Sequence, residues 1–270
     1  MLHQRAIRIL SLLAPSPIAE ALPKRFGSPH DGGYVICDDL NNSDFMISMG
    51  VGSDVTFEKS VAKKVAGVHL YDHTVDSLPE VDDKFVFYRE KVDANDGISL
   101  QETISRAPNQ SPSVLKMDIE GSEWRLLNES TDLLLNFRQI VLEVHNLMKI
   151  DLDEDFHLFE SVLERLHNSF YLFNAHPNNN GNSLIVGNLL LPDVVELTFL
   201  NKSNYSIAHQ EQQQIKYQVE ILNRPCDPHS PELFLQRIIH WDKMFVANNE
   251  RGWPNTSHQM GSRWYPPQSG

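Results

Sequence analysis

FMISMGVGSDVTFEKSVAKKVAGVHLYD, Phe45 to Asp72, is the stretch on which the reading of the fold turns. Phe45 to Met49 is an apolar run of strand length, and Gly50 and Gly52 follow at once. Ser53 or Asp54 can then cap a helix on which Phe57, Val61 and Val65 recur every four residues, one buried stripe. Gly67 ends that helix, and Val68 to Tyr71 is a second strand closing on Asp72. Glycines between a strand and a helix let the backbone approach a ligand and leave helix N–H groups facing it. A carboxylate at the end of the next strand, here 20 residues after Gly52, is placed to accept the ribose hydroxyls of an adenosine-type cofactor. The dinucleotide fingerprint G-x-G-x-x-G is absent, because Val55 stands where its third glycine belongs. The plain alternative is a tight strand–helix turn with no ligand.

The same rhythm continues outward. Phe85 to Tyr88 reads as a strand, Ile98 to Arg106 as a crossover helix, and Val114 to Met117 as a strand ending at Asp118. Ser122 opens a helix with Trp124, Leu127 and Leu134 inward, and Ile140 to Val144 is a strand with Glu143 and His145 at its end. Phe156, Phe159, Leu163 and Leu166 mark an amphipathic helix. Short strands alternating with helices predict an α/β fold with a mostly parallel sheet covered on both faces. Past residue 169 the rhythm changes: Phe170 to Asn174 and Val195 to Leu200 are strands joined by an Asn- and Gly-rich loop, with a short strand at Ser183 to Val186. That connection predicts an antiparallel return, since parallel neighbours need a crossover. On the N-terminal side a helix runs to about Ala14, stopped by Pro15 and Pro17, and Phe26 to Cys37 is a turn-rich segment leading into a strand. Toward the C-terminus, Gln210 to Leu222 and Pro231 to Trp241 have helical composition, ahead of a tail carrying Trp253, Pro254, Trp264 and Pro266–Pro267. The expected division is an N-terminal helical segment at 1–24, a catalytic domain at 25–205 and a C-terminal extension at 206–270.

Composition narrows the function. Of 270 residues, 41% are hydrophobic, enough for a core without disulfides or metals to hold it. Lys and Arg number 23 against 36 Asp and Glu, a net charge of −13, which argues against a sequence-blind nucleic-acid binder. Cys37 and Cys226 form no CxxC pair, so neither a disulfide framework nor a thiolate zinc site is expected. No apolar stretch approaches the roughly 20 residues that cross a bilayer. Arg5 and Arg8 before Ile9, Leu10, Leu12 and Leu13 imitate a signal peptide only weakly, and a packed helix in a cytoplasmic protein is the expectation. Oligomeric state is left open.

Several stretches together resemble a known family: FGSPHDGGYVI (Phe26 to Ile36), ISMGVGSDVTFE (Ile47 to Glu58), HLYDHT (His69 to Thr74), LKMDIEGSEW (Leu115 to Trp124), VLEVH (Val141 to His145), and the later FNAHPNNNG and LPDVVELTF. They span about two thirds of the chain and resemble the class I S-adenosylmethionine-dependent methyltransferases, within them the FkbM-like group. K-x-D-x-E-G-x-E is the most specific of them, while the glycine turn is a minimal G-x-G version of the family's loop. The resemblance implies a Rossmann-like seven-stranded sheet, mostly parallel with the last strand antiparallel and helices on both faces. It implies cofactor contacts by Gly50, Gly52 and Asp72, with Asp93 close to the adenine and Asp118 near the methionine part and the transferred methyl group. The acceptor it implies is an oxygen of a small or sugar-like molecule.

Methyl transfer to a hydroxyl requires alignment of donor and acceptor and a group that takes the hydroxyl proton. Glu143 and His145 are two apart and point to one face of a regular strand. With Asp118 they form a carboxylate–carboxylate–imidazole set for Mg²⁺ or Mn²⁺, or a base with its orienting carboxylate. His176 offers a further base or ligand from the Asn-rich loop, and His30 to Gly33 can close over the cofactor. Each has a plain alternative: a surface histidine at 145, a simple turn around Asn178 to Gly181, a structural turn at His30, and first-turn acids at Glu120 and Glu123. Two other functions compete, a metal-dependent hydrolase built on Asp118, Glu143, His145 and His176, and a methyltransferase fold that only binds.

Overall fold

The computed structural model describes residues 1–110, 112–208, 219 and 221–235. In chain order the elements are α1 (Leu2–Leu12), β1 (Pro23–Gly27), β2 (Gly33–Cys37), β3 (Phe45–Met49), α2 (Thr56–Ala62), β4 (Gly67–Tyr71), β5 (Phe85–Tyr88), α3 (Leu100–Arg106) and β6 (Val114–Met117). They continue with α4 (Glu123–Glu129), α5 (Thr131–Leu134), β7 (Gln139–Val144), α6 (Asp153–Ser169), β8 (Phe170–Pro177), β9 (Ser183–Val186), β10 (Leu189–Pro192) and β11 (Val195–Asn201).

Seven strands make one sheet in the order β5-β4-β3-β6-β7-β11-β8. β3 runs parallel to β4 and β6, β4 to β5, and β6 to β7, while β11 is antiparallel to both β7 and β8. This is the expected seven-stranded Rossmann-like sheet, mostly parallel, with the last strand in sequence reversed. The chain starts in the middle at β3, steps out to β5, then crosses to β6 on the other side. The strand order therefore reverses between β3 and β6, and a ligand crevice belongs beyond their carboxyl ends.

Burial of both strand faces shows why the sheet needs two helical layers. Consecutive residues Met46 and Ile47 on β3, which point to opposite faces, are both fully buried, as are Val114 and Leu115 on β6. On one face Met46, Val68, Leu70, Val114 and Val141 pack against Phe57 and Val61 of α2 and against Phe26, Tyr34 and Ile36 of the β1–β2 hairpin. Trp124 of α4 and Phe159 of α6 stack tilted at 4.5 Å between ring centroids. Among the described residues no helix is long and apolar enough to cross a membrane.

Some boundaries differ from the sequence reading. α2 begins at Thr56 and not at Ser53, because Asp54 folds its Oδ1 onto the Thr56 N–H at 2.7 Å and the intervening residues belong to the glycine turn. β8 continues past Asn174 to Pro177, since β11 pairs with it as far as Val195 and Pro177. His176 therefore lies on a strand and not in the Asn-rich loop. β10 was not expected; it pairs with β9 in a hairpin turning at Gly187, which has φ +65°. In the C-terminal region residues 231–235 are irregular where a helix was expected. The rest of the Pro231 to Trp241 helix, most of the Gln210 to Leu222 helix, and Trp253, Pro254, Trp264 and Pro266–Pro267 lie outside the described residues.

Candidate functional site

A cavity of about 440 Å³ opens beyond the carboxyl ends of β3, β4 and β6, within the size range of small-molecule sites. Its walls are the Gly50 to Asp54 turn, Asp72 to Thr74, Glu90 to Val92 and Asp118 to Glu120, with Asp31, Gly32 and Tyr34 closing the N-terminal side. Gly50 has φ +73°, and a Cβ there would lie 1.6 Å from the Asp118 carbonyl oxygen, so no other residue fits. Gly52, at φ +51°, is the opposite case: a Cβ there would meet nothing within 4 Å. The turn bends because β3 and β6 press together at Gly50, and it stays open at Gly52.

Asp72 holds this turn. Its Oδ2 accepts the N–H groups of Val51 at 2.9 Å and Gly52 at 2.8 Å, while Oδ1 accepts the Thr74 N–H at 2.7 Å and hydroxyl at 2.6 Å. A carboxylate has about four acceptor sites, and the protein fills all of them. Burial pushes the carboxyl up, yet these bonds outweigh it and hold Asp72 below the usual carboxylate range. The side chain expected to meet the ribose thus shapes the turn first. Asp93 behaves likewise: Oδ2 accepts the Ser122 hydroxyl at 2.6 Å and Oδ1 the N–H of Asn95 at 2.8 Å. Glu90, Lys91 and Val92 line the cavity in this region, and Asp93 ties their loop to Ser122.

The other wall is built by side chains. Lys116, a buried lysine in the apolar strand β6, donates to the Gly50 carbonyl and, at 3.3 Å, to Asp118 Oδ2. Its burial favours the neutral amine, but Asp118 and Glu58 reverse that and raise its pKa. Tyr34 stands between two carboxyls, its hydroxyl 3.2 Å from Asp118 Oδ2 and 3.1 Å from Glu143 Oε2. A phenol has one proton, so it donates to one of these groups and accepts from the other. Burial and the nearby Asp118 and Glu196 push Glu143 up to about 8, so at neutral pH Glu143 carries a proton. Glu143 then donates to Tyr34, and Tyr34 to Asp118. The other Glu143 oxygen accepts from the Asn178 amide at 3.0 Å.

The two candidate histidines sit in parallel settings. His145 has Nδ1 3.1 Å from Glu123, whose side chain is 0% exposed, and Nε2 3.5 Å from Glu120, whose side chain is 87% exposed. Glu123 also accepts the backbone N–H groups of Ile119 and Gly121, so it is a buried organiser of the loop and not a surface acid. Burial works against the imidazolium, but the hydrogen bond to Glu123 and the charges of Glu123 and Asp118 outweigh it and raise His145 to about 9. Ligand atoms of Asp118, Glu120 and His145 lie within 4.8 Å of one another. The expected trio of Asp118, Glu143 and His145 is thus modified: Glu143 Oε1 lies 3.9 Å from His145 Nε2, and Glu120, on a left-handed turn at φ +56°, supplies the nearer oxygen.

His176 belongs elsewhere. It is buried with Nδ1 2.9 Å from Glu196 and Nε2 3.1 Å from Glu232, and it lines a second cavity of about 530 Å³ and not the one at Gly50. Glu196 sits opposite both Glu143 on β7 and His176 on β8. Tyr34 and Glu196 were not singled out in the sequence and left no trace there; Lys116 opens the K-x-D-x-E-G-x-E stretch and is a lone charge inside an apolar run, but it was given no role.

No protein-family model and no curated protein matches the chain. Among solved structures it is similar to the precorrin 8W decarboxylase of Methanobacterium thermoautotrophicum, at 14% identity over 60% of this chain and 84% of that one, with a TM-score of 0.38. It is similar to a dimethyladenosine transferase from Plasmodium falciparum at 12% identity over 61% of this chain and 58% of that one, TM-score 0.41. The precorrin-6y C5,15-methyltransferase of Geobacter metallireducens is similar at 10% identity over 61% and 84%, TM-score 0.38.

Proposed function

We propose that the chain is an S-adenosylmethionine-dependent methyltransferase of the FkbM-like kind that methylates an oxygen of a small or sugar-like acceptor. The observation that carries this is the Gly50 to Gly52 turn, tied to Asp72 and open at Gly52 onto a cavity whose far wall is Asp118. Charge favours the same ligand. The cavity is lined by Asp31, Asp54, Glu58, Asp72, Glu90, Asp118, Glu120 and Glu143 against Lys91 and Lys116. Such a rim attracts a cationic sulfonium and repels a polyanion such as nucleic acid.

When bound, the cofactor supplies an electrophilic methyl group. Gly50 and Gly52 let the backbone approach it, Asp72 keeps their N–H groups in place, and Asp93 holds the adenine-side loop through Ser122. Asp118, fixed by Tyr34 and Lys116, faces the methionine end. The acceptor hydroxyl gives up its proton at the Asp118, Glu120 and His145 cluster. Glu123 on Nδ1 leaves His145 Nε2 facing the other two groups, so once the imidazole has given up its own proton, at alkaline pH or to an entering cation, the cluster serves as a base or as the ligand set for Mg²⁺ or Mn²⁺. Glu143, protonated, is the weaker ligand and acts through Tyr34 and Asn178. His176 takes no part.

The test is calorimetric titration of S-adenosylmethionine and S-adenosylhomocysteine into metal-free protein, repeated with Mg²⁺ and with Mn²⁺. Saturable binding is expected, weakened about tenfold by Asp72→Asn as the turn loses one of its acceptors. Absence of binding by folded protein in all conditions overturns the reading and leaves the hydrolase in front.

A further inference from the structure

We propose that His176, Glu196 and Cys226 form a buried Zn²⁺ site, separate from the cavity and independent of the methyltransferase reading. The three residues come from β8, β11 and the C-terminal segment, and each is buried. His176 Nδ1 lies 2.9 Å from Glu196 Oε2, Cys226 Sγ lies 3.2 Å from Glu196 Oε1, and the ligand atoms all fall within 4.8 Å of one another. Zinc bonds of about 2.0–2.3 Å put tetrahedral neighbours roughly 3.5 Å apart, so the two contacts to Glu196 open slightly around an ion while the widest pair of ligand atoms, within 4.8 Å, closes on it.

A second feature points the same way. His176 Nε2 meets the Glu232 carboxylate at 3.1 Å. Histidines that bind metals donate their other ring N–H to a carboxylate, which fixes the tautomer and aims the free nitrogen at the ion. Thiolate, imidazole and carboxylate are all zinc ligands, and the sulfur disfavours magnesium and calcium. The charges also close, since one thiolate and one carboxylate neutralise the ion. Without metal, Glu196 and Glu232 raise the pKa of the imidazole against the effect of burial, while burial and Glu196 push the thiol up. Binding forms Zn–N, Zn–O and Zn–S bonds and sends the thiol proton to solvent, with no change of oxidation state.

The position gives the ion a structural task. The Cys226 carbonyl accepts the Asp31 N–H at 3.3 Å, Pro225 O lies 3.1 Å from His30 Nδ1, and Asn179 bonds Asp227 in both directions. Zinc at Cys226 would staple this segment over Asp31 and Gly32, one wall of the cavity.

The experiment strips the full chain with chelator, adds Zn²⁺, dialyses, and measures metal content. About one zinc per chain is expected in the unaltered protein and in Cys37→Ser and His145→Gln, with at least a tenfold loss of affinity in Cys226→Ser and His176→Gln. Because those two variants lose buried partners, Co²⁺ is also added to the unaltered chain and to Cys37→Ser. A thiolate-to-cobalt charge-transfer band in both supports the site, as Cys226 is then the one remaining cysteine. No stoichiometric metal, no charge-transfer band, or zinc lost in His145→Gln and kept in Cys226→Ser overturns it. Cofactor binding plays no part in any of these readings, so failure here and failure of the methyltransferase proposal are distinguishable.

Discussion

The two sides of the cavity are made in different ways. On the β3–β4 side the backbone does the shaping, and the bonds are local: Asp72 reaches Val51 and Gly52, 21 and 20 residues away, and Thr74, two away. On the β6–β7–β11 side, side chains from remote segments meet. Tyr34 reaches Asp118 across 84 residues and Glu143 across 109. The first side is rigid because positive φ angles and a fully engaged carboxylate leave it one shape. The second is held by shared protons, so its state follows pH.

The sharpest way to break the backbone side is Gly50→Ala. A methyl 1.6 Å from the Asp118 carbonyl oxygen, on a residue at φ +73°, cannot be placed without moving β6. A loss of about 3 kcal/mol or more is expected, roughly 6–12 °C in the thermal midpoint, together with loss of cofactor binding. Gly52→Ala gives the contrast. There the cost is strain alone, about 1 kcal/mol, while the new methyl enters the cavity and weakens S-adenosylhomocysteine binding at least tenfold. Equal stability losses in the two variants, measured by thermal melts, break the distinction between a pressed and an open glycine.

That difference also explains what was legible in the sequence. The parallel core and the strand-end positions of Asp72 and Asp118 were readable because local pattern sets them: short apolar runs, a glycine turn, and a carboxylate at the strand end. β10 was missed because its pattern, Leu189 to Pro192, looks like a loop until β9 pairs with it. Glu123 looked like a first-turn acid, since nothing in its neighbours tells that the side chain folds inward onto Ile119, Gly121 and His145. His176 was grouped with the strand-end residues, whereas it lines the second cavity, because its partners Glu196 and Glu232 are 20 and 56 residues away.

The proton-sharing side has a pH signature. Glu143 and His145 are raised to about 8 and about 9, from ordinary values of 4.5 and 6.5. The native chain thus holds these protons more tightly than the unfolded chain, so their contribution to stability is present at low pH and is lost as pH rises through the native values. His69 and His167, held low by burial, act in the opposite sense, but their effect ends near pH 6.5. Between pH 7 and 9 stability is expected to fall by about 3 kcal/mol. Glu143→Gln, uncharged and able to keep the Tyr34 bond, should flatten that slope when melts are compared across the range. An unchanged slope in the variant would move the titration to another group.

Tyr34→Phe tests the link itself. The ring stays, but Glu143 Oε2 loses its partner, while Asp118 Oδ2 keeps Lys116. About 1–2 kcal/mol of stability should go, because one buried carboxyl oxygen is left unpaired. Turnover should drop on the order of 100-fold through loss of Asp118 positioning, with S-adenosylhomocysteine affinity kept within about twofold. A matching fall in affinity would mean that Tyr34 holds the cofactor directly and not through Asp118.

Glu120→Gln is the mildest change and separates the two roles left to the His145 cluster. The Glu120 side chain is 87% exposed and reaches His145 at 3.5 Å, so its removal should alter stability by less than about 0.5 kcal/mol. The buried Glu123 bond keeps the imidazole in place. If Asp118, Glu120 and His145 hold Mg²⁺ or Mn²⁺, the variant needs about tenfold more cation for the same rate, and excess cation restores it. If His145 acts as a metal-free base, no cation dependence exists to shift, and loss of a neighbouring carboxylate lowers the imidazole pKa, moving the acid limb of the rate profile to lower pH. Rates measured against cation concentration and against pH, on one variant that stays folded, therefore assign the chemistry to a metal or to a histidine.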